Sequence, residues 1–459
     1  MTFETVSEFP VLLEPIDEDA GARPTQRLPI RQLLQISIYW LGINAIWGGV
    51  GIFNQRRVDE LAPPGEAGNF LNVMGWLALP VVLLVQPTVG AISDYTITRW
   101  GKRKPYIVIG ATLDVLFLVG LATSQTFIAL VAFVILLQFS SNFAQGPFQG
   151  YVPDLVPPEQ VGLASALVGA MQTVGFVTGA ILISLAFTFG QFTVFLILLG
   201  VVELATAAGT FLFVREGKAA RSRGGRSWLS IGLSAWGTDI LKERNFVFLL
   251  VSRLLFLSGV NVFLGFNLLF LGRSLGLPDS EIGLWIAIVG VVVGVTTAVA
   301  TLPSGIASNR FGRKPMIYIA CAIGAAGLAV CGLAPSPPVL VVGVVLLGTA
   351  SGTFLAVDWA LMTDIIPKAS SGRFMGISNI AVGLAGPVAA LVAGPIIDAV
   401  GGKAETGDGP RAAFIAGTLL FAIAAVFLFP VDPRPREERL AAEAARAADS
   451  GPSAGRAIA

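Results

Sequence analysis

The stretch GAISDYTITRWGKRKP, from Gly90 to Pro105, carries one aspartate and four basic residues between two long apolar segments. A shorter version, GIASNRFGRKP, occurs at Gly305 to Pro315 between two further apolar segments. A charged motif that recurs in the same setting indicates an internal repeat. The apolar segments on either side of each copy are long enough to cross a bilayer as helices. The two copies therefore predict two similar sets of membrane helices.

The composition is that of an integral membrane protein. Of the 459 residues, 54% are hydrophobic and 13% are charged, whereas soluble domains contain about 25% charged residues. The net charge of +1 provides no field that would attract nucleic acid. The sequence contains no histidine, only two cysteines and no phosphate-binding GxxxxGKS/T loop. We therefore predict no metal site, no cofactor, no nucleic-acid partner and no enzymatic activity, with the lipid bilayer as the surroundings.

Apolar segments separated by charged, glycine-rich or proline-rich breaks predict twelve membrane helices between residues 32 and 430. The first helix is expected at 32–53 and the eighth at 281–304. An even number of spans leaves both chain ends on one side, and the loops of that side hold most of the 30 Lys and Arg residues. The positive-inside rule then predicts a multi-pass protein of the plasma membrane with both termini in the cytoplasm.

The two halves of the chain are related by a constant offset of 210 residues, at which Pro105 matches Pro315 and Asp154 matches Asp364. We therefore predict an all-α membrane protein of twelve transmembrane helices in two six-helix halves. This plan is typical of transporters, with the substrate site between the halves near mid-membrane. The predicted regions are a disordered N-terminal tail (1–31), the first half (32–214), a cytoplasmic linker (215–245), the second half (246–430) and a C-terminal tail (431–459).

The doubled motif and the twelve helices resemble the major facilitator superfamily, whose members carry this motif after the second and the eighth helix. A narrower likeness lies in Ser93-Asp94 with Gly101–Pro105, and in Asn142–Pro147 followed by Asp154. These runs resemble the plant sucrose–proton symporters and the related glycoside–cation symporters. The resemblance implies the major facilitator fold, a sugar as substrate, and coupling to a proton or another cation.

The fourth predicted helix carries a stripe of amide side chains. Gln138, Asn142, Gln145 and Gln149 are spaced at i, i+4, i+7 and i+11, so they share one face of a helix. If this face were turned toward lipid, the hydrogen-bond donors and acceptors of the amides would be unsatisfied. The stripe fits either hydrogen bonds between helices or a water-filled path that offers amides to sugar hydroxyl groups. In the resembling symporters, an acid linked to proton coupling replaces Gln138 and an arginine linked to sugar binding replaces Gln149.

Three further helices add candidate substrate-binding residues. Trp40, Asn44 and Trp47 follow helical spacing in the first helix, where flat aromatic rings suit the apolar face of a sugar, although core packing explains either tryptophan equally well. Asn261 lies in the seventh helix and Asp358 in the tenth. By analogy with the resembling fold, helices one, four, seven and ten surround a central cavity. The polar residues of these four helices are therefore predicted to line it.

Ionisable residues inside membrane spans are functional candidates by default. Asp358, Asp114 and Glu203 lie within predicted spans and are candidates for carrying a proton. Asp358 is the first choice because it shares a helix face with the predicted cavity lining. For each of the three, a plain buried pair with a basic or amide neighbour is the alternative.

Acids and bases of the two motif copies are candidates for a gate on the cytoplasmic side. Asp154 and Asp364 end the fourth and tenth helices, close to the two charged motifs. Ion pairs among the acids and bases of both copies would latch the inner end of the path, and breaking them would open it inward. The alternative is that the basic residues only enforce the topology. The candidate gate residues are Asp94, Arg99, Arg103, Asp154, Arg310, Arg313 and Asp364.

The sequence therefore predicts a secondary active transporter that moves a glycoside or disaccharide by alternating access in symport with a proton or another cation. One alternative is a passive sugar uniporter, which the neutral Gln138 favours. Another is efflux of small amphipathic compounds, against which the six methionines and the amide-lined helix faces argue. The expected partners are a small-molecule sugar, a proton or another cation, and lipid, and the protein is expected to be a monomer.

Overall fold

The computed structural model describes residues 26–96, 98–216, 224–234, 243–365 and 371–434. In this part of the chain, twelve helices are long and apolar enough to span a membrane, and the predicted all-α membrane fold is confirmed. They are α1 (Ile30–Leu61), α2 (Ala67–Ser93), α3 (Lys104–Thr123), α4 (Phe127–Gln149), α5 (Val161–Phe189), α6 (Phe192–Phe213), α7 (Arg244–Leu269), α8 (Asp279–Phe311), α9 (Arg313–Leu333), α10 (Pro337–Ile365), α11 (Ser371–Gly401) and α12 (Asp408–Leu428).

Because successive helices cross in opposite directions, α1 begins and α12 ends at the same membrane face. We call this the tail face, and we call the opposite face, where α1 ends and α2 begins, the far face. Odd-numbered helices run from the tail face to the far face. The predicted disordered tail (1–31) lies outside the described residues up to residue 25, and the predicted C-terminal tail (431–459) lies outside them beyond residue 434.

The first helix is longer than the sequence predicted. α1 continues to Leu61 rather than ending at residue 53. Its final turns are polar and are held by ion pairs from Arg56 and Arg57 to Glu60, at i,i+4 and i,i+3 spacing. Hydropathy marks only the apolar part of a helix, so it ended α1 too early.

The eighth helix also extends beyond its predicted end at residue 304. α8 continues to Phe311, so Arg310 lies in its last turn rather than in a loop. The turn of the second motif copy is reduced to Gly312, whose φ of 91° is accessible to glycine and costly for other residues. The charged residues of this copy are therefore presented by helix ends.

Two six-helix halves, α1–α6 and α7–α12, pack against each other. Across the boundary α2 packs against α11, α5 against α8, and α1 against α7. Within the halves α1 packs against α5 and α6, and α7 against α11 and α12. A short helix of the linker, Trp228–Ser234, packs against α2. Helix α1 therefore touches both its own half and the other half.

Two glycines of the quoted sequence runs bring α2 and α4 into backbone contact. A Cβ atom built on Gly146 of α4 falls on the carbonyl oxygen of Gln86 in α2. A Cβ built on Gly90 lies 3.3 Å from the carbonyl oxygen of Gly146. In a close-packed interior such a contact leaves no room for a side chain. Both glycines are therefore explained by packing.

We expect Gly146→Ala to lower the free energy of unfolding by about 1–3 kcal/mol, because α2 and α4 must separate to admit the added methyl group. Thermal denaturation of the purified protein in detergent measures the effect. Gly169→Ala in α5 is the matched control, since a Cβ built at Gly169 meets nothing within 4 Å. Equal melting temperatures for the two variants would contradict the close contact.

Candidate functional site

Among the described residues, the amide stripe of α4 forms no hydrogen bond to another helix. The Asn142 side chain donates to the backbone oxygen of Gln138 at 2.7 Å and to its side-chain oxygen at 3.1 Å. Gln145 and Gln149 are half-buried, and their side chains form no hydrogen bond with the described part of the chain. In this conformation the described hydrogen bonds of the stripe therefore lie within α4 and do not join it to another helix.

The three candidates on α1 have different surroundings. Trp40 is buried against Phe148 of α4, with ring centroids 5.5 Å apart. The Asn44 side chain donates to the backbone oxygen of Trp40 at 2.9 Å. Trp47 is half-buried and lies on a cavity. Packing thus accounts for Trp40, whereas Trp47 remains available to a ligand.

A cavity of about 260 Å³ lies between the two halves and is lined by α1, α5, α7 and α8. Trp47 supplies an aromatic face, and Asn261 and Asn267 supply amides. Gly51 and Gly265 line the cavity without projecting a side chain into it, and a Cβ atom built on either meets nothing within 4 Å. The structure thus brings two predicted residues, Trp47 and Asn261, to one cavity. The other predicted substrate-binding residues lie outside its lining: Trp40, Asn44, Gln138, Asn142, Gln145, Gln149 and Asp358.

Asn267 is a cavity residue that the sequence analysis missed. It is buried, and its side-chain nitrogen donates weakly to the backbone oxygen of Leu264 at 3.3 Å. Its side-chain oxygen has no hydrogen-bond partner among the described residues. A buried amide acceptor without a donor is costly, so this oxygen is suited to accept a hydrogen bond from a bound hydroxyl group. The available signal was an amide in an otherwise apolar run of α7.

Asp358, the first choice for a proton carrier, forms a buried ion pair. Its Oδ2 lies 2.6 Å from Nη1 of Arg253 on α7, and the two side chains are only 1% and 3% exposed. The Arg253 guanidinium also lies over the ring of Trp359, 5.4 Å from its centroid. The contact joins α7 to α10 inside the second half. Asp358 therefore forms a buried pair with a basic neighbour, which was the alternative to its role as a proton carrier.

Asp114 and Glu203 meet inside the first half, away from the cavity. Asp114 lies at the middle of α3 and Glu203 at the middle of α6, and both are fully buried. The Ser140 hydroxyl of α4 donates to Asp114, and the Tyr39 hydroxyl of α1 donates to Glu203 at 2.9 Å. Four helices therefore converge on two carboxyl groups.

The first motif copy forms a charged network at the tail face, centred on Arg103. Its guanidinium donates to Asp94 at 2.9 Å, to Asp154 at 2.8 and 3.0 Å and to the backbone oxygen of Pro147 at 2.7 Å. Lys102 adds a second ion pair to Asp154 at 2.7 Å. The network ties the loop after α2 to the end of α4, within the first half.

The second copy repeats the central pair. Arg313 donates to Asp364 at 2.5 Å, and the two residues are 51 positions apart, as are Arg103 and Asp154. This pair lies inside the second half. The two remaining gate candidates stack on neighbours, Arg99 on the Trp100 ring and Arg310 on the Phe311 ring. In this conformation the candidate gate residues therefore pair within each copy and not between copies.

Among the described residues, the ion pairs that join the two halves lie at the far face, where the sequence had predicted none. Arg56 at the end of α1 pairs with Asp279 at the start of α8 at 2.7 Å. Arg273, just after α7, pairs with Asp59 of α1 and, at 2.8 Å, with Glu405. The Arg56–Asp279 and Arg273–Asp59 pairs join the two halves at this face.

Backbone contacts reinforce the same closure. The Gln55 side chain of α1 donates to the backbone oxygen of Leu264 and accepts from the backbone nitrogen of Leu268, both at 3.0 Å. Asp398 of α11 accepts from the backbone nitrogens of Gly68 and Asn69 at 2.9 and 2.6 Å, at the N-terminus of α2, where an anion is favoured.

The close approaches between α5 and α8 end near mid-membrane. Gly283, Gly290 and Gly294 of α8 each lie against α5. Farther toward the tail face, a Cβ built on Gly162 or Gly169 of α5 meets nothing within 4 Å. The described contacts therefore close the far face, and among the described residues the close approaches between α5 and α8 do not extend to the tail face.

Comparison with known proteins identifies the family. The model of the Major Facilitator Superfamily matches residues 36–270 and 249–456, which together span almost the whole chain. The chain belongs to the Major Facilitator Superfamily. The prediction made from the doubled motif is confirmed, and the protein is a multi-pass membrane protein of a transporter family.

Two relatives match shorter regions of the chain. The "Membrane-associated transporter protein" of Mus musculus is 33% identical over 135 residues, covering 24% of this chain and 25% of that protein. The "Sucrose transport protein SUT1" of Oryza sativa subsp. japonica is 31% identical over 127 residues, covering 23% of this chain and 24% of that protein. The chain thus aligns with about a quarter of the length of these relatives.

Solved structures share the superfamily fold. The crystal structure of a bacterial homolog of the human lysosomal transporter Spinster, in an inward-facing and unoccupied conformation, matches with a TM-score of 0.68 at 17% identity. The match covers 88% of this chain and 96% of that chain. At this level of identity the likeness shows the fold alone.

Proposed function

We propose that this superfamily member is a secondary active transporter that carries a glycoside or another sugar by alternating access, in symport with a proton. The observation that carries the proposal is the cavity between the halves, where Trp47, Asn261 and Asn267 converge. An aromatic face and amide groups are the chemistry that binds a polyhydroxylated ring. The rice sucrose transport protein among the relatives supports the same substrate class.

The orientation of the protein is part of the proposal. The tail face holds the basic motif residues, so the positive-inside rule places it in the cytoplasm and the far face outside the plasma membrane. The conformation described above is then the inward-open one. Closure at the far face and opening at the tail face are the two features that alternating access requires of this state.

A passive sugar uniporter is the second candidate. Gln138 supports it, because a neutral amide stands where the resembling symporters carry an acid, and an amide cannot bind and release a proton. Ion pairing of Asp358 with Arg253 also removes one alternative carrier. The two candidates share the substrate cavity and differ in whether a proton gradient drives accumulation.

The test is uptake of labelled sucrose, maltose and monosaccharides into proteoliposomes, with and without an inward proton gradient. We expect concentrative uptake of at least one sugar only with the gradient. Equilibration regardless of the gradient would favour the uniporter. Failure of every sugar to move would contradict sugar transport.

Substitutions in the cavity should weaken sugar uptake. We expect Trp47→Ala and Asn261→Ala each to raise the KM for the transported sugar by about tenfold, which corresponds to the loss of roughly 1.4 kcal/mol of binding free energy. Trp76→Ala is the matched control, because Trp76 is an exposed tryptophan of α2 outside the cavity lining. Unchanged KM values in both cavity variants would place the substrate elsewhere.

A further inference from the structure

We propose that Asp114 and Glu203 form a carboxyl pair that shares a single proton, and that this pair is the proton-binding site of the transporter. Its role in transport rests on the proposed symport function, whereas its existence as a proton site does not. The pair lies in the first half, between α3 and α6, and it is separate from the substrate cavity.

The geometry leaves one oxygen of each carboxyl group without a partner among the described residues. One oxygen of each group is satisfied, since Ser140 donates to Asp114 Oδ1 and Tyr39 donates to Glu203 Oε1. The other two, Asp114 Oδ2 and Glu203 Oε2, are buried and receive no hydrogen bond from the described residues. The two carboxyl groups lie within hydrogen-bonding reach of each other.

A shared proton resolves this arrangement. Ionised carboxylates only accept hydrogen bonds, so two of them cannot bond to each other, and each would leave a buried acceptor unsatisfied. With one proton on the pair, one carboxyl donates to the other and both free oxygens are used. The proton therefore acts as the ligand that completes the site.

No positive charge competes for the pair in the described part of the chain. The titratable groups that face it are Tyr39 from α1 and the two acids from α3 and α6, while α4 contributes the uncharged Ser140. Neither acid forms an ion pair with a described basic residue. Asp358, by contrast, is held by Arg253. The Asp114–Glu203 pair is therefore better placed to gain and lose a proton.

Helix α1 links the pair to the transport path. Its Tyr39 holds Glu203, its Trp47 lines the cavity, and its Gln55 bonds α7 at the far face. At Gly42, α1 packs directly on α6, because a Cβ there lies 2.7 Å from the Glu203 Cα atom. Loss of the proton places two negative charges face to face in a low-dielectric interior, which pushes the helices around them apart. Protonation is thus coupled to the position of the helix that lines the cavity.

Infrared spectroscopy of the purified protein in lipid tests the proton site without any sugar. A protonated carboxyl has a C=O stretch that a carboxylate lacks. We expect a pH-dependent band from a buried protonated carboxyl in the wild type and its loss in both Asp114→Asn and Glu203→Gln. The exposed Glu281→Gln is the matched control and should keep the band. A band unchanged in both pair variants would overturn the proposal.

Tyr39→Phe provides a second variant that keeps both acids. It removes only the hydroxyl that donates to Glu203, so the band should persist at a shifted frequency. If Asp114→Asn and Glu203→Gln fail to fold, an unshifted band in Tyr39→Phe would overturn the assignment of the band to this pair.

Proteoliposomes test the role of the pair in coupling. With the sugar that the wild type accumulates, we expect Asp114→Asn and Glu203→Gln to lose accumulation driven by the proton gradient, so that internal and external sugar concentrations become equal. Accumulation at the wild-type level in both variants would overturn the coupling role. If the wild type accumulates no sugar, the proposed function fails, and the infrared titration still decides whether the pair holds a proton.

Discussion

Replacing Arg253 by methionine is expected to lower the free energy of unfolding by about 3–5 kcal/mol, because the substitution leaves the Asp358 carboxylate buried without a counterion. The pair is among the most enclosed charges of the described chain, with side chains 3% and 1% exposed. Neither Nε of the Arg253 guanidinium nor the second Asp358 oxygen has a hydrogen-bond partner among the described residues. Removing either charge alone therefore leaves the other buried without a counterion.

Removing both charges together is expected to restore stability. In the double variant Arg253→Met/Asp358→Leu, apolar side chains of similar volume fill the space between α7 and α10, and neither charge needs to be taken out of water. Its unfolding free energy should match or exceed that of the wild type. Such a result would show that the pair is not required for packing of the second half.

Chemical or thermal denaturation of the purified protein in detergent measures both effects. Arg27→Met is the matched control, because Arg27 forms an ion pair with Glu159 whose side chains are 78% and 70% exposed. An exposed pair contributes at most about 1 kcal/mol, so this variant should remain close to the wild type. Equal losses in Arg253→Met and Arg27→Met would contradict a buried, uncompensated Asp358.

The sequence predicted charged positions better than it predicted charged partners. The repeat at an offset of 210 residues placed Asp154 and Asp364 correctly beside the two motif copies, because helix ends and basic loops are local features. The choice between partners depends on the fold around each turn. Arg103 and Arg313 both turn inward to an acid of their own half, which no periodicity in the sequence specifies.

The far-face contacts escaped prediction for a different reason. The polar turns of α1 that carry Arg56 and Asp59 project beyond the apolar segment, so hydropathy assigned them to a loop. The i,i+3 and i,i+4 spacing of Arg56, Arg57 and Glu60 was the available signal for a longer helix. Likewise, burial of Asp114 and Glu203 follows from their apolar surroundings, whereas their meeting depends on how α3 packs against α6.

Replacing Arg273 by glutamine is expected to shift the protein toward conformations that are open at the far face. Arg273 pairs with Asp59 of the first half and with Glu405 of the second. Without its positive charge, two acids face each other across the boundary between the halves and repel. A bias of about 1.4 kcal/mol changes the ratio of the two conformations tenfold, so the effect should be large in a measurement of accessibility.

A cysteine in the cavity reports this opening. Gly51→Cys places a thiol on the cavity wall, where the added side chain has space, and the native Cys321 and Cys331 are both buried. A membrane-impermeant maleimide is added to intact cells, and Lys403→Cys, in an exposed far-face loop, verifies that this face is outside. We expect labelling of Gly51→Cys to become about tenfold faster when Arg273 is replaced.

Arg57→Gln distinguishes the loss of an ion pair between the halves from a general loss of positive charge at the far face. Arg57 lies at the same end of α1, but its partners, Glu60 and the backbone oxygen of Ser124, belong to its own half. This variant should leave the labelling rate unchanged, and Asp59→Asn should accelerate it in the same direction as Arg273→Gln. Equal rates for Arg57→Gln and Arg273→Gln would show that the ion pairs between the halves do not hold the far face closed. If labelling is faster in Arg273→Gln and Asp59→Asn but not in Arg57→Gln, the Arg273–Asp59 ion pair helps to hold the far face closed. This face is opposite to the charged motifs from which the sequence predicted a gate.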